Sequence, residues 1–177
     1  MTNVSASFQL GDLKISQLSD GATFRDPKIL FDGVEESEWV EALGLSDSSE
    51  SIPFNFSTFL VESQKNKWLV DTAYGFREKE ENTESCAELL VRLSEKGVQP
   101  QDIDFVVHSH LHFDHVGWNL DENDQITFPN AMHIVAEQEF DWWINYEEND
   151  HPLKEKVQAK FKSLIENDQI KTFVGDY

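Results

Sequence analysis

Asp104-Phe105-Val106-Val107-His108-Ser109-His110-Leu111-His112-Phe113-Asp114-His115-Val116-Gly117 is the stretch on which the reading of this chain turns. Its first four residues follow Pro100 and read as a short buried strand. The rest is crowded with imidazoles: four of the six histidines lie between positions 108 and 115. His110 and His112 are two residues apart, so in extended backbone both side chains project to the same side and can reach one cation. Asp114 and His115 follow across a turn and offer a carboxylate oxygen and an imidazole nitrogen to a second cation. Such nitrogen and oxygen donors suit zinc, with iron and manganese as other candidates. Leu111 and Phe113 are expected to anchor the loop in the core, and Val116-Gly117 to turn the backbone sharply toward a helix. His108 and His133 read as hydrogen-bonded strand histidines. His151, before Pro152, reads as an exposed residue at a helix start, with a lesser weight as a pocket residue. Trp142-Trp143 reads mainly as core, otherwise as a pocket wall or subunit contact.

Outward from this stretch the pattern is layered. Phe8-Gln9-Leu10 and Leu13 to Leu18 flank Gly11-Asp12 as a hairpin, and Phe54 to Glu62 and Trp68 to Thr72 flank a polar loop as a second pair. Between the pairs the chain is irregular, with a short acidic helix over Glu35 to Leu43 read as a solvated face. Ser85 and Glu88 have capping-box spacing, so a helix is expected from Ser85, with Cys86, Leu89, Leu90 and Leu93 on one face and Gly97 closing it. Beyond the histidines, Ile134 to Ala136 reads as a strand, Glu137 to Tyr146 and Pro152 to Glu166 as helices with Pro152 at the first helical position, and Ile170 to Val174 as a last strand. Strand, helix, strand in this order implies an α/β (α+β layered) fold.

Composition narrows the chemistry. Among 177 residues, 14 Lys+Arg against 34 Asp+Glu leave a net charge of −20. That field disfavours nucleic acid and anionic membrane surfaces as partners. With 39% hydrophobic residues, 13 Phe and 5 Trp, the chain can build a sizeable core. Cys86 is the single cysteine, which excludes an internal disulfide and a cysteine-built metal site, so a metal must be held by His, Asp or Glu. No basic segment followed by an apolar run opens the sequence, and the expectation is a soluble cytoplasmic protein.

His110-Leu111-His112-Phe113-Asp114-His115, set after an apolar strand and followed by Val116-Gly117, resembles the signature of the metallo-β-lactamase superfamily. Trp68-Leu69-Val70-Asp71-Thr72-Ala73 resembles the family's earlier strand ending in an aspartate, and Asp102-Ile103-Asp104-Phe105-Val106-Val107 the strand leading to the metal loop. His112 to Asn119, with Phe128-Pro129-Asn130-Ala131, is most similar to the branch of N-acyl-homoserine lactonases and methyl-parathion-hydrolase-like enzymes. The resemblance implies two metal ions, zinc first, with His110 and His112 on one and Asp114 and His115 on the other. Asp114 is also the expected catalytic residue, and Asp71 is expected to prop the loop by hydrogen bonds rather than ligate.

The family pattern continues with a third histidine, a bridging aspartate and a final histidine, and none of these follows here. The sequence is therefore expected to form one domain over residues 1–177, the N-terminal portion of an αββα sandwich, incomplete at its C-terminus. Half a sandwich would leave an apolar face that further chain, a partner or self-association into a homo-oligomer must cover. The implied activity is metal-dependent hydrolysis of a small ester-like molecule, a lactone first and a phosphotriester or other ester next, by a water activated between two ions. The alternatives are a thioester hydrolase of the glyoxalase II type and a truncated metal-binding or interaction module without turnover, the outcome favoured for these 177 residues alone.

Overall fold

The computed structural model describes residues 6–76, 83–85 and 87–175. The strands are β1 (Ser7–Leu10), β2 (Leu13–Arg25), β3 (Ile52–Glu62), β4 (Lys67–Val70), β5 (Thr83–Ser85), β6 (Phe105–Val107), β7 (Met132–Ala136) and β8 (Ile170–Phe173). They form one sheet in the order β1-β2-β3-β4-β6-β7-β8, with β5 paired on β2. The β1 to β4 side is antiparallel, and β4, β6, β7 and β8 run parallel. The helices are α1 (Pro27–Leu30), α2 (Glu36–Leu43), α3 (Leu89–Glu95), α4 (Glu137–Phe140) and α5 (Lys154–Glu166). No described helix is long and apolar enough to cross a membrane.

One face of the sheet is the core. Leu18, Leu60, Leu69 and Val106 point inward from four strands and meet Leu89 and Leu93 of α3. A second cluster joins Val135 of β7 to Val157, Phe161 and Leu164 of α5, and takes in Leu111 and Val116 from the histidine loop. Each such aliphatic side chain, fully buried, stabilises the fold by about 1.5–3 kcal/mol. On the opposite face the register aligns Phe8, Ile15, Val61, Trp68, Phe105 and Met132 in one row across six strands. Phe8, Phe59 and Trp68 there are exposed at 55%, 42% and 37%, so this apolar layer is open.

Several boundaries differ from expectation, each for a tertiary reason. The second strand runs on to Arg25 instead of ending near Leu18, because β3 pairs with it throughout and a register shift between Ser19 and Gly21 absorbs the glycine. The segment ending at Ser85 is strand, hydrogen-bonded to Ala22 and Thr23, and the helix begins four residues later. Its cap is remote: Leu89 N–H donates to Asp20 Oδ1 (2.8 Å) and Glu88 N–H to the Asp20 carbonyl (3.1 Å). Cys86, assigned to its apolar face, lies outside the described residues. Gly97, at φ +74°, does close the helix, with Val98 N–H returning to Leu93 O. The helix expected over Glu137 to Tyr146 is one α turn followed by a π turn, Asp141–Asn145. The next helix starts at Lys154, two residues past Pro152.

Candidate metal centre

The site lies at the carboxyl ends of the parallel strands β4 and β6, where open α/β sheets place their ligands. β4 ends at Val70, and Asp71 and Ala73 turn the chain in left-handed backbone, with φ of +64° and +49°. Beside it the histidine loop leaves β6. The two loops are sewn together by backbone bonds: Thr72 N–H to His115 O (2.8 Å), Gly117 N–H to Ala73 O (2.8 Å) and Trp118 N–H to Thr72 O (3.1 Å). Gly117 was expected to serve a sharp turn. It opens a short 3₁₀ turn, Gly117–Asn119, and it also permits close approach, since a Cβ there would sit 1.9 Å from the Tyr74 carbonyl oxygen.

Leu111 is fully buried and ties the loop to the core, whereas Phe113 is only half-buried and packs edge-on against Tyr74. With Leu111 turned in, His110, His112, Asp114 and His115 are left outward on one side. His110 Nε2 and His112 Nδ1 face each other at 3.1 Å. That separation is near the edge of a tetrahedral zinc site, about 3.3 Å for Zn–N bonds of about 2.0–2.1 Å. The rings of His110 and His115 lie 3.9 Å apart between centroids, and His115 Nε2 is 3.8 Å from Asp114 Oδ2. The four expected ligands are thus adjacent and of the donor type that suits zinc, the first pair at close to a tetrahedral edge and the second wider. Among the described residues no three of His, Cys, Asp and Glu are grouped around one point.

Asp71 is the organiser of this loop. Its Oδ1 accepts Ser109 N–H (2.8 Å), and its Oδ2 accepts Ser109 Oγ–H (2.7 Å) and lies 2.9 Å from His115 Nδ1. Burial pushes the Asp71 carboxyl up, but the bonds from His115 and Ser109 outweigh it and hold the group below its usual range. An ionised Asp71 makes His115 Nδ1 the protonated nitrogen and leaves the Nε2 lone pair toward Asp114. Burial also drags His115 down, yet its bond to and charge attraction with Asp71 leave it raised overall. His110 is lowered, first by burial and then by its histidine neighbours.

Three further residues support the loop and were not singled out from sequence. Asp20 is fully buried, and its Oδ1 accepts Trp118 Nε1–H (2.8 Å) and its Oδ2 Gly75 N–H (2.8 Å), so one carboxylate joins both site loops to α3. Its signal was available: it shares inward parity with Ser16 and Leu18, and an acid at a core position calls for a reason. Glu139 Oε1 accepts Leu111 N–H (2.8 Å) and Trp143 Nε1–H (2.9 Å), and no local pattern marks it. Ser109 stands between Asp71 and His110, whose Nδ1 is 3.0 Å from its Oγ. His108 and His133 are a buried pair, Nε2 to Nδ1 at 3.0 Å. Burial pushes His108 down to about 4 and His133 well below its ordinary value. Trp143 is buried with its ring edge-to-face on His112, and Trp142 is about half exposed on Tyr146. His151 is half-buried against the site rather than an exposed helix start.

The sequence profile of the metallo-beta-lactamase superfamily matches residues 53–169. Probable metallo-hydrolase MJ0296 of Methanocaldococcus jannaschii is 35% identical over 68 residues, 38% of this chain and 30% of that protein. N-acyl homoserine lactonase AttM of Azorhizobium caulinodans is 44% identical over 46 residues, 26% of this chain and 15% of that protein. Among solved structures, AidC, a dizinc quorum-quenching lactonase in complex with a product, superposes with a TM-score of 0.79 at 24% identity, covering 97% of this chain and 62% of its own. The hydrolase AbOPH gives 0.81 at 24% identity, covering 99% of this chain and 63% of its own. At that identity the likeness is one of fold. The chain matches under a third of the length of these curated relatives and spans about three fifths of these solved structures.

Proposed function

This chain belongs to the metallo-beta-lactamase superfamily, and from that premise we propose that the protein hydrolyses a small ester-like substrate with the help of two metal ions, zinc first. A lactone is the leading substrate class and a phosphotriester or other ester the next. The observation that carries this reading is the gathering of three imidazoles and the Asp114 carboxylate around a loop whose protonation pattern Asp71 sets. His110 and His112 would hold one ion, and Asp114 and His115 the other. The chemistry that ions bound there would supply is a lowered pKa for water and polarisation of the oxygen under attack. Asp71 keeps the proton on His115 Nδ1, Ser109 links Asp71 to His110, and Glu139 pins the amide between His110 and His112. Trp143 shields one edge of His112 from water.

Turnover of a lactone and of an aryl phosphotriester, measured with and without a strong chelator, tests the proposal. Loss of activity with chelator and its return with zinc is expected, and activity indifferent to chelator overturns the mechanism. For these 177 residues alone a second reading, a metal-binding or interaction module without turnover, is favoured by the lack of any three-donor group among the described residues. Elemental analysis of this chain beside the turnover assay separates the readings: metal content near zero supports an inert fragment, and bound metal without turnover supports a metal-binding module.

A further inference from the structure

His151 is far from the histidine loop in sequence, yet its ring stacks on His112 with centroids 6.3 Å apart and planes 22° from parallel. It meets Trp143 edge-to-face at 4.8 Å. The only rings it packs on among the described residues are these two, so it lies one ring beyond the candidate ligands, against the aromatic wall. Its placement is built. The His151 N–H donates to Asn149 Oδ1 (2.9 Å), and Asn149, itself buried, donates from Nδ2 to the Trp142 carbonyl (2.9 Å) in the π turn. His151 Nδ1 accepts Leu153 N–H at 3.2 Å, which puts the proton of the neutral ring on Nε2. That Nε2–H has no hydrogen-bond partner among the described residues. A half-buried, single-tautomer donor set on an aromatic wall next to a metal loop is a recognition element for an acceptor oxygen outside the reacting group.

We propose that His151 is a specificity-determining residue that donates from Nε2 to the amide carbonyl oxygen of an N-acyl lactone. This rests on the lactonase reading above. With the reacting ester held on the ligand side of His112, the amide of an N-acyl lactone would fall a few bonds further along, the direction in which His151 lies, 6.3 Å from His112 between ring centroids. A hydrogen bond of this kind lost from a polar pocket costs about 1–1.5 kcal/mol, close to a tenfold change in binding.

The test compares, in the active metal-loaded protein, an N-hexanoyl lactone with a γ-alkyl lactone of matched length that lacks the amide. His151→Leu is expected to raise KM about tenfold for the amide substrate and leave its kcat, and both constants for the γ-alkyl lactone, within twofold. Calorimetric binding of the ring-opened N-hexanoyl-homoserine should weaken by the same factor, independently of turnover. His151→Gln, which can accept from Leu153 N–H and still donate, should restore most of the preference and serves if the leucine variant misfolds. Equal shifts for both lactones, or none for either, overturn the inference while leaving the lactonase reading intact. Wild-type protein that hydrolyses and binds neither compound overturns that reading and this inference with it.

Discussion

Asp71 shows how much one carboxylate can decide. It takes three hydrogen bonds in left-handed backbone, and two of its donors belong to Ser109 while the third is His115 Nδ1. Replacing it by Asn leaves an amide that accepts from the His115 edge less well and that presents N–H groups where acceptors are needed. Asp71→Asn is expected to weaken zinc affinity by about 10- to 100-fold, as loss of a ligand-orienting partner does. Competition against a chromophoric chelator measures it, and an unchanged affinity would show that the loop is held without Asp71. Gly117 is decisive in a different way, by what it lacks. A Cβ 1.9 Å from Tyr74 O and 2.6 Å from Gly75 N forces two backbones apart, and neither is a flexible side chain that can yield. Gly117→Ala should therefore cost more than about 3 kcal/mol, read as a fall in the denaturation midpoint.

At the scale of elements, α3 begins where a carboxylate from β2 meets its first amides. Asp20 accepts from Leu89 N–H, Gly75 N–H and Trp118 Nε1–H, and burial raises its pKa despite these donors. Asp20→Asn turns an acceptor into a donor facing other donors, so the first turn of α3 and the loop at Gly75 should loosen together. Hydrogen exchange at the Leu89 and Gly75 amides is expected to quicken by about tenfold or more, with a stability loss of about 2–4 kcal/mol. Faster exchange at only one of them would separate the cap from the loop. The π turn after α4 is a second device of this kind. It holds Trp143 inward on His112 and Trp142 outward on Tyr146.

Across the whole molecule, the buried His108–His133 pair couples folding to pH. Both imidazoles are lowered by burial, His108 to about 4. Each is neutral when folded and takes up a proton below about pH 6.5 when unfolded, so the unfolded state binds more protons in that window and stability falls as pH falls. His115, raised overall by Asp71, works in the opposite direction. Denaturant unfolding of the metal-free protein at pH 7.5 and 5.5 is expected to show a net loss, about 1 kcal/mol from each buried imidazole. His133→Asn should remove its share of that dependence, and an unchanged slope would exclude it. The same sheet that buries this pair carries the open row Phe8, Ile15, Val61, Trp68, Phe105 and Met132 on its other side. An open apolar sheet face marks a surface for further packing.

What sequence alone determined was the part of the molecule encoded over short distances. The His110, His112, Asp114 and His115 cluster, its strand, the hairpins and the layered α/β order were legible because side-chain alternation and residue spacing are local properties of backbone. Asp71 was legible as a strand-end acid through the motif it precedes. Tertiary structure decided the rest: that Asp20 caps α3 across 69 residues, that His108 finds His133, that Glu139 holds Leu111, and that His151 comes to rest on His112. Each depends on a side chain meeting a partner from another element, and no period or propensity in the intervening chain records such a meeting. The helix expected at Ser85 failed for the same reason, since β2 offered that segment a ladder of hydrogen bonds and supplied the cap four residues later.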